Sequence, residues 1–486
     1  MGSEIIGDGP FGDQLGFRHA LAIDSSGNTI AVGGHANSNV FQYSGYARVM
    51  DWDGAAWVQR GIDIIGTDST YSNTGYSVDL SSDGMTFAVS SPWGYNSLLY
   101  KSGNVRVYDW SNFAWVQRGL DIEGEGNINP IFAGDNFGWA LELNSSGDYI
   151  IIGGPANTEG LGISTFGGHA RVYHWNGDSW IQIGQDIDGP INLGPGTFGC
   201  SVGINNDGDR IIIGGRMYTG TNSNNQERGI AMTYEYDGSA WMLMGDTIFG
   251  SNSGDNLGEA VEISGDGNAI AIGAPKSNGF NGETKIFDWD GINWSQRGNS
   301  ILGVSNSNMT SSGRTLALSS NLSVLAIGEN GANFNKGAVK VYHWNNNSWQ
   351  QIDNTISPAT SATMPSFGWG VDINYNGSRI ITAAPLDETG KVRVYENIKL
   401  DSTWNCIGTA GCQWAGVNPI VPGQYISLSG CIASCNHTDI YSTDYSVKKT
   451  LIKIIDVLGR ESEELKNQTL FYIYDDGTVE KKIILE

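Results

Sequence analysis

One phrase recurs six times along this chain: WVQRGIDIIG from Trp57, WVQRGLDIEG from Trp115, WIQIGQDIDG from Trp180, WMLMGDTIFG from Trp241, WSQRGNSILG from Trp294 and WQQIDNTISP from Trp349. The Trp-to-Trp spacings are 58, 65, 61, 53 and 55 residues, and an isoleucine stands seven positions after each Trp, at Ile64, Ile122, Ile187, Ile248, Ile301 and Ile356. Repeats of this length require each unit to be one supersecondary element that buries its apolar face on its neighbours. The composition suits short strands and tight turns, with 68 glycines, 12 prolines and 10% aromatics.

Four strands are legible in each repeat. An alternating segment such as Tyr76-Ser77-Val78-Asp79-Leu80 leads through an Asp-Gly or Asn-Gly turn into an apolar strand such as Ile270-Ala271-Ile272-Gly273. A loop of variable length precedes a third strand of the type Val105-Arg106-Val107-Tyr108-Asp109-Trp110, and a tight turn leads to the Trp phrase. Four strands per repeat make a propeller blade.

The third strands recur at Ala47, Val105, Ala170, Ala231, Thr284, Val339 and Val392, which gives seven blades, and the seventh has no Trp phrase after it. Gly2-Ser3-Glu4-Ile5-Ile6-Gly7 matches the end of that phrase, with Gly2 in the place of Gly61 and Ile5 in that of Ile64. The expected fold is therefore all-β, a seven-bladed β-propeller over residues 1–397 whose N-terminus supplies the outer strand of the last blade and removes an open sheet edge. The register places the missing Trp three positions before Met1, which predicts that the natural chain extends upstream.

Phe137-Gly138, Phe198-Gly199 and Phe367-Gly368, each followed by a turn and a strand end of the type Ile272-Gly273-Ala274-Pro275, resemble the FG-GAP repeats of integrin-α-type propellers. Leu257-Gly258 replaces Phe-Gly in one blade, and the pair is absent near Met309. The resemblance implies a cell-surface recognition propeller. It does not extend to the D-x-D-x-D-G calcium loop, since Asn205-Asn206-Asp207-Gly208-Asp209 and Gly265-Asp266-Gly267-Asn268 lack carboxylates at alternate positions and read as hairpin turns. No cofactor and no metal site is expected, calcium being the one ion the resemblance would suggest.

No catalytic constellation is legible, so the expectation is a non-enzymatic protein. His174 and His343 occupy the third-strand slot held by Asp109 and Asp288, and His19, His35, His169 and His437 are isolated. Recognition is expected on the face carrying the loops between strands 2 and 3 and between strands 4 and 1, because the 2–3 loops are long and differ between blades whereas the opposite turns are short. Aromatic candidates there are Trp93, Tyr95, Tyr100, Phe166, Tyr218 and Phe280, with Phe41, Tyr43 and Phe334 beside them. Exposed rings among Asn, Ser and Gly suit an extracellular glycan or protein. The alternative is a propeller glycosidase or lyase, which requires carboxylates or a histidine converging at the mouth of the central channel.

Acidic residues outnumber basic ones 51 to 27, which excludes nucleic acid as a natural partner. Apolar runs such as Ile150-Ile151-Ile152 fall far short of the roughly 18 residues of a membrane-spanning helix. A monomer is expected.

Composition changes near Lys399. Residues 398–440 hold Cys406, Cys412, Cys431 and Cys435 with too few apolar residues to fold by burial alone, so two disulfides in an oxidising compartment are expected; three pairings are open, and a zinc site is the rival. Cys200 reads as a buried thiol. Residues 441–486 read as strands and turns, and the Asp456-Val457-Leu458-Gly459-Arg460-Glu461 turn with the final hairpin resembles the C-terminal sorting domain of bacterial type IX secretion substrates. That resemblance implies the type IX machinery as a partner, a secreted or outer-surface location, and an N-terminal signal peptide, which the opening Met1-Gly2-Ser3-Glu4 does not supply.

Overall fold

The computed structural model describes residues 1–396 apart from stretches at 10–11, 67–70, 99–100, 126–133, 158–166, 191–195, 219–226, 305–308 and 359–365, together with six strands between 402 and 483. The chain divides into two units, Met1–Leu400 and Asp401–Glu486.

The first unit is a seven-bladed propeller of antiparallel sheets. The innermost strands, from blade 1 to blade 7, are Leu21–Ile23, Val78–Leu80, Ala140–Leu143, Ser201–Ile204, Ala260–Ile263, Thr315–Leu318 and Val371–Ile373, and each packs against the next around a closed ring. Their alternation of apolar and other residues sends Val, Leu and Ile into the layers between blades. One such layer joins Ala22, Ala31, Val49 and Ile64 of blade 1 to Val78, Phe87, Val89 and Tyr108 of blade 2.

The Trp phrase is a structural joint. In blade 2 the fourth strand is broken in two, Ala114–Gln117 and Ile122–Glu123, both paired with Asn104–Ser111. Gly119 stands at the break with φ 75°, and a Cβ there would lie 2.8 Å from the Trp175 ring of the next blade. Trp175 in turn packs on Trp180 with ring centroids 5.5 Å apart, and the Trp180 indole N–H donates to the Arg118 carbonyl at 3.0 Å. The glycines Gly61, Gly119, Gly245 and Gly298 dock in the same way on the tryptophan pair of the following blade, and Gly184 on Tyr236 and Trp241, whereas the phrase at Trp349 lacks the glycine and runs as one strand, Trp349–Ile356.

The Arg of the phrase has an equally local cause. Arg60, Arg118 and Arg297 donate to Asp51, Asp109 and Asp288 on their own third strands, each at 2.7 Å. Where the phrase carries Ile183 or Ile352 instead, the third strand carries His174 or His343; where it carries Met244, the slot holds Glu235, which accepts from Arg210 instead. The paired glycines pack backbone on backbone: a Cβ on Gly153 of blade 3 would run into the Gly199 carbonyl of blade 4.

Blade 7 is completed by the N-terminus. Ile5 and Ile6 pair with Val392 and Lys391, the Met1 amino group donates to the Val394 carbonyl at 2.7 Å, and Glu4 pairs with Arg393. Ile5 is buried among Val392, Val394 and the inner strand of blade 1.

In the second unit Ser402–Cys406 pairs with Cys412–Val417 and with Gln424–Tyr425, and this register sets Cys406 opposite Cys412. Cys431, Cys435 and the turn at 456–461 lie outside the described residues. Leu451–Ile455, Thr469–Tyr474 and Val479–Ile483 form a three-stranded antiparallel sheet. Cys200 is free and buried.

Removing residues 1–9 strips blade 7 of its outer strand and of the Ile5 contact. The thermal midpoint should fall, corresponding to a loss on the order of several kcal/mol; an unchanged midpoint by calorimetry would show that closure does not depend on this strand.

Candidate functional site

Ring closure leaves one edge of every inner strand facing the central axis, with backbone groups that no further strand pairs. The central residues of the seven inner strands are Ala22, Asp79, Glu142, Gly203, Glu262, Ala317 and Asp372, so four blades place a carboxylate there. Each reaches the next blade. The Leu143 amide donates to Asp79 Oδ2 at 2.7 Å and the Ile23 amide to Asp372 Oδ2 at 2.8 Å, while the amides of Ile204 and Leu318 donate to Glu142 and Glu262. At the turn end the blades are joined by backbone bonds, Ser25 to Ser82 at 3.0 Å and Ser82 to Ser145 at 2.9 Å.

These acids line a cavity of about 190 Å³ that runs along the axis. Burial pushes Asp79 up to about 8, against the Leu143 amide and with the Asp372 charge adding to it. Burial likewise raises Asp372 to about 7, and it drives Glu142 and Glu262 upward together with the neighbouring lumen carboxylates.

The loop-bearing end of the channel differs in character. The residue after each blade's entry glycine stands at this mouth: Tyr76, Trp139, Cys200, Glu259, Arg314 and Trp369 in blades 2 to 7. Blade 1 has two additional residues between Gly16 and its inner strand, and they bring Phe17 and Arg18 there. On one side the rings form a continuous arc. Trp369 lies 5.0 Å from Phe17, Phe17 5.2 Å from His35, His35 5.2 Å from Tyr76, and Tyr76 4.8 Å from Trp139 and 5.4 Å from Trp93. The buried indole N–H groups of Trp139 and Trp369 have no partner among the described residues.

The other side is charged. Arg18 of blade 1 pairs with Glu259 of blade 5 at 2.9 Å, although blades 1 and 5 are not neighbours, so this bond crosses the mouth. Arg216, from the 2–3 loop of blade 4, also bonds Glu259, at 3.0 Å. Burial opposes ionisation of Glu259, but Arg18, Arg216 and Arg314 outweigh it and hold the carboxyl at about 2. His19 beside them is held near 4 by burial and by Arg18, and is neutral at pH 7.

Trp93 takes its place in the arc. Tyr95 is exposed beside Lys101, which also faces Tyr71, itself stacked on Tyr43 at 5.5 Å. Phe280 is exposed on a single helical turn, Ser277–Phe280, in blade 5. Tyr218, expected among the exposed rings, is fully buried: its hydroxyl donates to the Gly167 carbonyl at 2.8 Å and its ring meets Phe198 edge-on, so it anchors its loop. Tyr100 and Phe166 lie outside the described residues. Apart from Trp93, the arc and the arginines were not expected from sequence; aligning the repeats on the entry glycine would have brought Tyr76, Trp139, Arg314 and Trp369 into one column, but not His35, Arg18 or Arg216.

A second cluster, Glu125, His169 and Asp186, has the residue types of a metal site. The Arg171 guanidinium already bridges Glu125 and Asp186, as Arg48 engages Asp63 and Asp8 in blade 1, so this is a repeated ion-pair joint. The Asn205 turn is stapled by its own side chain, which accepts from the amides of Asp209 and Arg210, both at 3.0 Å.

No family model matches the chain, and no curated protein matches it in sequence. Among 560 matching chains of solved structures, hydrazine synthase of Kuenenia stuttgartiensis covers 82% of this chain and 98% of its own, at 14% identity and a TM-score of 0.48. A likeness of that order says nothing about chemistry or substrate.

The lumen acids make stability depend on pH. Asp79 and Asp372 bind protons more tightly folded than unfolded, so their contribution is full below about pH 4 and is lost as pH rises through about 7 to 8. Between pH 5 and pH 8.5 the D79N/D372N double variant should lose roughly 2–4 °C less in midpoint than the parent chain. Parallel melting curves across this range would remove these two acids as the cause.

Proposed function

We propose that this chain is a recognition propeller that binds an extracellular glycan at the loop-bearing mouth of its central channel. The observation that carries this reading is the arc of rings from Trp369 to Trp139, with two indole N–H groups left without partners inside it. A sugar offers both an apolar face to stack on such rings and hydroxyls to accept from their N–H groups. The secreted or surface location rests on the likeness of the C-terminal residues to type IX sorting domains, and the integrin-like FG-GAP character on the Phe-Gly and Gly-Ala-Pro pairs.

A second reading, a glycosidase or lyase, draws on the lumen carboxylates, since an acid raised to about 7 or 8 is suited to protonate a leaving group at neutral pH. Each of these carboxylates is occupied by a backbone amide of the next blade, which favours the binding reading.

A glycan array probed with the full chain should give a restricted set of ligands, and Trp139→Ala should weaken the best of them by about tenfold or more. The same incubations, assayed for new reducing ends, separate the two readings. An empty array with an intact fold would refute glycan recognition and leave a protein partner.

A further inference from the structure

We infer that the mouth of the channel takes the terminal residue of an acidic saccharide, its carboxylate docked among Arg18, Arg216 and Arg314 and its ring laid against the tryptophan arc. This inference rests on reading the mouth as a glycan site.

The first argument is charge. Three guanidinium groups converge on one carboxylate, and Glu259 is the only acid among the described groups that acts on Arg314. His19 is neutral, so among the described groups around Glu259 three guanidinium groups face one carboxylate, in a chain whose formal net charge is −24. Such an excess, enclosed by low-dielectric walls, is unfavourable unless a counter-ion arrives.

The second argument is an unused donor. Arg18 and Arg216 are bonded to Glu259, but the buried Nε of Arg314 has no hydrogen-bond partner among the described residues, and Arg314 lines the channel cavity. Burial lowers its pKa, with Arg18 and Arg216 repelling it and Glu259 only partly offsetting them. A carboxylate is the acceptor whose geometry matches a guanidinium edge.

The third argument ties the anion to a sugar. Arg314 lies 5.8 Å from the Trp369 ring centroid and Arg18 5.8 Å from that of Phe17, so the cationic and aromatic sides meet at two points. A ligand with its charge one bond from a stacking ring reaches both at once, as a uronic acid does and a free inorganic anion does not. The channel cavity of about 190 Å³ reaches Arg18, His19 and Arg314 at this end, beyond which its lining passes to the lumen acids. Arg18 sits at φ 54°, in the left-handed region, where a non-glycine residue is held only by its surroundings. Its backbone is fixed by the hydrogen bond that its amide donates to the Trp369 carbonyl at 3.2 Å, and its guanidinium reaches Glu259 across the mouth.

The test uses the full chain, phosphate-free buffer and calorimetric titration with a glucuronic-acid-terminated disaccharide and its methyl ester. The acid should bind at least tenfold more tightly than the ester, and raised salt should erode that preference. Arg314→Gln should bring the two probes to about equal affinity, and Glu259→Gln, which adds one unit to the local positive charge, should tighten the acid several-fold. If Arg314→Gln fails to fold, Arg18→Gln replaces it. Equal binding of acid and ester to the parent chain overturns the acidic preference while glycan recognition stands. Sulfate binding as tightly as the disaccharide, with Trp139→Ala without effect, overturns the saccharide in favour of a simple anion. Binding of neither probe, with an empty array, overturns this inference and the glycan reading together.

Discussion

The unpaired inner edges of the seven blades are the constraint on which the rest of the propeller depends. A sheet edge in a narrow channel has neither a further strand nor bulk water to satisfy it, and backbone groups left in that state are costly. Here the turn end is joined by backbone bonds from blade to blade, and the middle of the channel by side-chain acceptors. A carboxylate is a strong acceptor for an amide, and it brings a charge that burial then disfavours. The lumen acids hold the ring together and in doing so acquire their raised pKa values.

Most of the ring was legible in the sequence because the contacts that build it repeat with it. Trp180, Gly119 and the Asp109–Arg118 pair have counterparts in most of the other blades, so the period, the strand count and the N-terminal closure follow from aligning one phrase. The exchange of Asp and Arg for His and Ile at residues 174 and 183 was also visible as covariation within the chain.

The candidate site was far less legible, for a geometric reason. The mouth is assembled from the residues after the entry glycines, about sixty positions apart and of unlike chemistry, together with loop residues such as His35, Trp93 and Arg216, so no local motif marks it. The loop rings chosen for being aromatic and variable include Trp93, which belongs to the arc, and Tyr218, which is buried; sequence alone does not separate a ring that lines a surface from one that anchors a loop. The crossing from Arg18 to Glu259 depends on a two-residue insertion in a single blade, a departure from the repeat rather than an instance of it.

That departure bears on where a function can reside. Residues that bridge blades are committed: replacing Asp79 or Glu142 alters the acceptor of an inner-strand amide of the next blade, so any chemistry assigned to them is bound to the stability of the ring. Of the residues just after the entry glycines, Glu259 bonds Arg18 and Arg216 of other blades, whereas the aromatic ones accept no inner-strand amide. Between a glycine that must approach its neighbour's backbone and an inner strand that must fill the layer between blades, this column holds aromatic, acidic, basic and thiol side chains in turn. A repeat held rigid on both sides of one free position can vary that position blade by blade without disturbing the fold, and it presents the seven results around a single opening. The asymmetry of the mouth, rings on one side and guanidinium groups on the other, is what such freedom permits and what packing alone does not require.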